Sequence, residues 1–265
     1  MLSIGKNLPN AKDISEYFDM ERKRQNVATD KKLGSLRKLY SSKSPELENP
    51  NSALFWNEHF TKYGNHKEEY MAQDRENIIY RSLKKKEGRL LNVGFGRGYL
   101  DHLLVKNNRL ELFGIDISTT ALRNIKKSIK NGVYVRGSIF SIPFPDRWFD
   151  YVIVSEVLEH ISPARNFQAL KEVYRVLKKG GLIIVTVPLN EGLEQKVSTG
   201  ENHSGHMRDY TPDLVMAELK IRGFNIRRFL YLYAFDKMYR FKKFLNRFLL
   251  IHRWDPNNVI IFATK

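Results

Sequence analysis

The chain has 265 residues, with 45 Lys and Arg against 29 Asp and Glu for a net charge of +16, and no cysteine. The missing cysteines exclude a disulfide framework, a zinc thiolate centre and a thiol nucleophile. The positive charge fits either a polyanionic partner, such as nucleic acid, an acidic membrane surface or a phosphorylated substrate, or a merely solvated basic surface.

The opening "MLSIGKNLPN" has no apolar core of the kind that directs export, and the longest apolar runs, "YVIVSEVL" and "GLIIVTVPL", are of strand length. A cytoplasmic protein without a membrane-spanning helix is expected. Residues 1–85 read as a helical N-terminal extension in which "SSKSPELENPNS" links short helices. There, "FWNEHFTKYGN" sets Phe55, Trp56, Phe60 and Tyr63 at near-helical spacing. Two readings follow: a lid that closes on a bound ligand, with Trp56 and Tyr63 touching substrate, or a helix laying an apolar stripe on the domain.

From Arg89 strand and helix patterns alternate, which predicts a parallel sheet with helices on both faces over residues 86–265. Strands are expected at 89–95, 110–117, 133–138, 149–157 and 181–188, with helices at about 98–107, 119–130 and 164–178. The last of these helices is expected to end at "KKGG", where Gly180 suits a helix C-terminus. Another helix starts at Thr211 with Pro212 in its first position. "FNIRRFLY" and "NVIIFATK" are the last two strands. The basic, aromatic segment between them, about 232–255, has apolar residues on one helical face and Lys237, Arg240, Lys243 and Arg247 mainly on another. It reads as an anionic-membrane contact or as an insertion helix covering the sheet.

The stretch "RLLNVGFGRGYL" places Gly94, Gly96 and Gly98 just after the first strand, where an open α/β sheet meets its ligand. Glycine lets backbone approach a ligand and turn through positive φ. A dinucleotide fingerprint needs its third glycine at position 99, which is Tyr99, so a ligand without a pyrophosphate is expected. The second strand ends in Asp116, placed to accept both hydroxyls of a ribose or to cap the following helix.

Taken together, "LLNVGFGRGYL", "LFGIDIS", "VRGSIFSIPFPDRWFDYVIVSEVLEHI", "LKEVYRVLKKGGLIIVTVP" and "GHMRDYTPDLVMAELKIRGF" resemble the class I S-adenosylmethionine-dependent methyltransferases of the small-molecule type 11 kind. The resemblance covers about 88–230. It implies a Rossmann-like seven-stranded sheet, mostly parallel with the last strand antiparallel, and S-adenosylmethionine as cofactor. It further implies that Gly94, Phe95, Gly96 and Gly98 pass under the methionine and ribose, that Asp116 holds the ribose hydroxyls, and that Ile117, Ser138 and Ile139 line adenine. Ser155 and Glu156 would stand where methyl group and substrate meet. Two departures stand out, since the family usually has an acid at Asn92 and another at or next to Ser138. Both predict a weaker hold on the cofactor.

Histidine titrates near neutral pH, so it is the first candidate for a general base. "ENHSGHMRDYT" offers His206 for that role and His203, Arg208 and Tyr210 as substrate contacts. Glu156 and His160 are the other catalytic candidates, with Glu159 and His160 alternatively fixing a loop by hydrogen bonds. A metal centre from His203, His206 and Glu201 lacks a further ligand at fixed spacing, and no metal is expected. The reading is therefore a methyltransferase acting on a small-molecule oxygen or carbon. The alternatives are an RNA methyltransferase, a nicotinamide-dependent oxidoreductase, and a binding protein that keeps the fold without catalysis. The sequence leaves oligomeric state open.

Overall fold

The computed structural model describes residues 51–63, 70–235 and 254–265. Two helices, α1 (Ala53–Tyr63) and α2 (Tyr70–Leu83), precede strand β1 (Gly88–Val93). There follow α3 (Tyr99–Leu104), β2 (Leu110–Asp116), α4 (Thr119–Ser128), β3 (Val133–Arg136) and β4 (Phe149–Ser155). A 3₁₀ turn (Leu158–His160), α5 (Pro163–Val176), β5 (Leu177–Pro188), α6 (Leu193–Ser198), α7 (Pro212–Ile221), β6 (Asn225–Leu232) and β7 (Asn258–Thr264) complete the order. The seven strands lie in the order β3-β2-β1-β4-β5-β7-β6, and only β7 runs antiparallel to its neighbours.

Successive residues of a strand face opposite sides of the sheet, so near-continuous apolar strands fill two cores at once. Leu91, Val93, Phe113, Ile115, Val152 and Val154 pack on one side with Leu170 and Val173 of α5 and Val215 and Leu219 of α7. Leu90, Leu112, Ile153, Ile184 and Ile260 pack on the other with Leu100 and Leu104 of α3. Ile79 and Leu83 of α2 join this second core and are fully buried. The expected division at residue 85 therefore cuts through packed side chains. Each of these two residues contributes about 2 kcal/mol by burial, so α2 belongs to the body of the domain.

"KKGG" does not end a helix, contrary to expectation. Helix α5 stops at Val176 and β5 starts at once, with Leu177 already paired to Phe149. Gly180, at φ 74°, lies inside a strand irregularity, where its N–H donates to the Lys265 carbonyl. Positive φ here serves a bulge between β4 and β7, because it is the sheet ladder that recruits the chain. Most of the basic segment (236–253) lies outside the described residues, and so does its expected amphipathic face. Among the described residues no helix is long and apolar enough to cross a membrane.

Candidate active site

The carboxyl ends of β1, β2 and β4 open into a cavity of about 640 Å³. At one end lies the turn after β1. Gly94, Gly96 and Gly98 have φ values of 71°, 54° and 74°. Gly98 is constrained twice, since a Cβ there would lie 2.1 Å from Ile125 Cδ1 of α4. Gly96 donates its N–H to Asp116 Oδ2 at 2.9 Å, and Ser118 donates its own to Oδ1 at 2.8 Å. Burial outweighs these amide bonds and pushes the Asp116 carboxyl up to about 6. The helix cap considered for Asp116 is made by Ser118, whose hydroxyl accepts from Ala121 N–H.

Asn92, where the resembling family has an acid, is buried and donates its amide to Asp101 Oδ2 at 2.7 Å. The Tyr134 hydroxyl donates to the other oxygen at 3.0 Å. The charge expected at position 92 thus stands behind it, on α3, where burial raises the Asp101 carboxyl to about 7. Ser138 and Ser141 form an isolated bridge, and the Ser138 hydroxyl accepts from Phe140 N–H at 3.3 Å, which shapes the loop beneath the cavity.

Helix α1 forms the roof. Asn57 Oδ1 accepts from the hydroxyls of Ser118 and Thr119 and from the N–H of Thr120, pinning α1 on the start of α4. The Phe60 ring stands 3.4 Å from where a Cβ on Gly96 would be. Trp56 meets the His160 ring edge-on at 4.8 Å. Helix α1 thus packs on the domain, and its Trp56, His59 and Phe60 line the cavity. Tyr63 closes α1, but its side chain lies outside the described residues.

The opposite end of the cavity is polar. Glu156, at φ 54°, is a non-glycine residue in a strained backbone region, a cost of about 1–3 kcal/mol that clusters at functional sites. Its carboxylate accepts from Thr186 Oγ1 and Asn258 Nδ2 on one oxygen and pairs with Arg75 of α2 on the other at 3.1 Å. Three partners from three elements make Glu156 an anchor for α2. Next comes the 3₁₀ turn, whose Glu159 carbonyl accepts from Met207 N–H and so ties the turn to the loop after α6. That bond brings the His160 and His206 rings to a centroid distance of 4.7 Å. His206 is fixed further by reciprocal bonds with the Asn202 side chain and by Glu191, whose carboxylate lies 2.5 Å from Nδ1. Burial would raise the Glu191 carboxyl, yet the bond to His206 and the nearby Lys196 hold it below its usual value. Burial, with the His206 and His59 rings, lowers His160 well below the ordinary histidine value despite the Gly205 carbonyl.

All ten residues assigned to the cofactor line this one cavity, as do Trp56, Glu156, His160 and His206. The remaining substrate candidates do not. His203 is exposed and outside the cavity. Arg208 and Tyr210 are buried, and Arg208 pairs with Glu218 of α7 while the Tyr210 hydroxyl donates to Glu218 Oε2 at 3.0 Å. They brace the histidine loop, because a buried guanidinium requires a carboxylate and, among the described residues, Glu218 supplies it. Of the two histidines in this loop, His206 lies beside His160 while His203 is exposed outside the cavity. Sequence reasoning did not single out His59, Arg75 or Glu191, which approach the site through tertiary contacts alone. The alternative that Glu159 fixes the loop through side-chain hydrogen bonds is not met, since neither of its buried oxygens accepts one.

A glycine turn, a carboxylate at the tip of β2 and a doubly wound sheet define a nucleoside-binding α/β protein. Residues 91–185 match the methyltransferase domain family. The demethylmenaquinone methyltransferase of Thermotoga maritima is 28% identical over 139 residues, which is 52% of this chain and 59% of that protein. YrhH of Bacillus subtilis, a protein of methyltransferase designation, is 30% identical over 126 residues, 46% of this chain and 69% of that one. The crystal structure of a SAM-dependent methyltransferase from Archaeoglobus fulgidus superposes with a TM-score of 0.57 at 21% identity, covering 78% and 98% of the two chains. The chain belongs to the class I S-adenosylmethionine-dependent methyltransferases. It spans between 52 and 59% of the length of the first three curated relatives it matches.

S-adenosylmethionine is the cofactor of that family, and the residues present fit it. A carboxylate has about four acceptor sites, so the backbone amides at Asp116 leave room for two ribose hydroxyls. The bare turn at Gly94 and Gly96 leaves backbone open to the rest of the nucleoside. Ile117, Ser138 and Ile139 supply an apolar and hydrogen-bonding slot of the kind adenine requires.

Proposed function

We propose that the protein methylates an oxygen or carbon of a small-molecule acceptor. The observation that carries this reading is a single cavity with a nucleoside-holding turn at one end and a histidine pair at the other, roofed by α1. S-adenosylmethionine supplies an activated methyl group when bound. The protein's own part is to hold the two partners in line and dry, an effect that can supply roughly 7–11 kcal/mol of a barrier. The strained Glu156 fixes the floor, Trp56 excludes water above His160, and His206, oriented by Glu191, takes the proton of a hydroxyl acceptor. A small-molecule acceptor agrees with the name of the Thermotoga relative, and a cytoplasmic setting belongs to the same reading. The charge of +16 favours RNA as the second reading, which salt-sensitive tRNA binding would support.

Thermal unfolding with S-adenosylmethionine, S-adenosylhomocysteine and NAD tests this reading. At about a hundred times its dissociation constant a ligand adds roughly 2.7 kcal/mol, a rise of several degrees. A rise with both sulfur nucleosides and none with NAD is expected. No rise with either leaves a binding protein that has kept the fold. Asp116→Asn should weaken S-adenosylhomocysteine about 10- to 100-fold, because a charge-assisted bond contributes roughly 1.5–3 kcal/mol. In the unsubstituted protein, affinity should fall as pH drops through about 6, where Asp116 takes up a proton. Titration calorimetry from pH 5 to 8 reads both effects, and a flat profile would detach Asp116 from the ribose.

A further inference from the structure

We propose that Glu159, His160 and His206 form a site for a first-row divalent cation, at which the acceptor's oxygen is held. One ligand atom from each residue lies within 4.8 Å of the other two. The Glu159 side chain is fully buried, and neither carboxylate oxygen accepts a hydrogen bond. The nearest imidazole nitrogen is His160 Nε2, at 3.9 Å. In its ionised form a carboxylate so placed lacks the compensation that burial demands, and a divalent ion would supply it. His160 Nδ1 is likewise buried without a hydrogen-bond partner.

The surroundings of His206 are those of a metal ligand. Ligating histidines commonly give their second ring N–H to a carboxylate, which fixes the tautomer and aims the other nitrogen's lone pair. Glu191 does this at Nδ1, 2.5 Å away, and Lys196 holds Glu191 in turn at 2.9 Å. Nε2 is left for the ion. Two imidazoles and one carboxylate suit zinc, manganese or cobalt better than magnesium or calcium, which prefer oxygen alone. Bonds of about 2.1 Å in tetrahedral array place ligand atoms about 3.4 Å apart, so small side-chain rotations close the cluster. Three protein ligands leave a position open, the arrangement of ions that bind a reactant. All three residues line the cavity, as does Trp56, so a reactant in the cavity would be able to reach an open position there.

A cation here narrows the acceptor to one that offers an oxygen ligand, and this part rests on the methyltransferase reading. Bound oxygen releases its proton to water more readily, so the ion would take over the task otherwise given to His206, whose Nε2 it would occupy.

The test uses the full chain stripped with a chelator and titrated with Mn²⁺ or Zn²⁺ alone, by calorimetry and by thermal unfolding. S-adenosylhomocysteine is titrated into the same samples. One strong equivalent of metal is expected, lost in Glu159→Gln and in His206→Ala and kept in His203→Ala. Glu159→Gln preserves shape and removes the group that would ionise on the metal, so circular dichroism should show it folded. Cobalt(II) should give visible absorption bands that disappear in the same two variants. Metal binding of equal strength in Glu159→Gln, or no strong equivalent in the unsubstituted protein, overturns the site. Nucleoside binding without metal binding refutes only the cation. Metal binding without nucleoside binding supports the cation and removes the methyltransferase reading.

Discussion

Glu218→Ala is expected to lower the stability of the protein by about 3–5 kcal/mol, the loss found when one partner of a buried ion pair is removed. For a chain of this size that corresponds to a fall in melting temperature of roughly 10 °C. The cause is Arg208, 5% exposed, which would keep its charge in the interior with only the Tyr210 hydroxyl, 2.7 Å away, to compensate it. Replacing both partners with apolar residues of like volume, Arg208→Met with Glu218→Leu, should recover most of the loss, since the attraction within such a pair roughly offsets its desolvation. Melting followed by circular dichroism checks both variants. The same two variants separate bracing from substrate contact. If Arg208 touched substrate, the double variant would be stable and unable to bind the acceptor.

Asp101→Asn is expected to become progressively more favourable to stability as pH rises. The Asp101 carboxyl has an ordinary value of 3.8 and is raised to about 7 in the folded protein, chiefly by burial. Below pH 4 it is protonated both folded and unfolded, and nothing is lost. Between about pH 4 and 7 the unfolded chain releases the proton while the folded chain keeps it, so stability falls as pH rises. Above 7 the accumulated loss is about 4 kcal/mol. Asparagine does not titrate, and its amide can accept from Asn92 and donate to the Tyr134 oxygen in the same places. The stability difference between variant and parent should therefore grow by about 3 kcal/mol from pH 5 to pH 8 in urea melts. A constant difference would mean that Asp101 ionises normally in the folded chain.

Much of the fold is legible in the sequence because its strands are apolar in unbroken runs and its turns carry glycine where the backbone needs positive φ. Asp116 and Gly98 can be located from spacing alone, since each acts at a strand end fixed by local pattern. The failures have a common cause. Arg208 and Tyr210 stand in a polar stretch that looks like a binding loop, and only α7, folded against it, shows that Glu218 claims them. Asn92 looks like a weakened site until Asp101, nine residues later, is seen at its amide. "KKGG" carries good helix-stop chemistry, yet pairing with β4 and β7 outweighs it. A signal for Glu159 and His206 was present in "EVLEH" and "SGHM", but joining them needed the bond between the Glu159 carbonyl and Met207.

Strand β7 follows β6 in the chain but lies between β5 and β6 in the sheet, and Asn258 at its start bonds Glu156. Until β7 is made, β6 has no neighbour to pair with and the residue after β4 lacks one of the partners that hold its strained backbone. Pairings so distant along the chain form late and slowly. Completion of the chamber therefore waits on β7, and a chain arrested before residue 258 would lack both the strand that joins β5 to β6 and the Asn258 bond to Glu156.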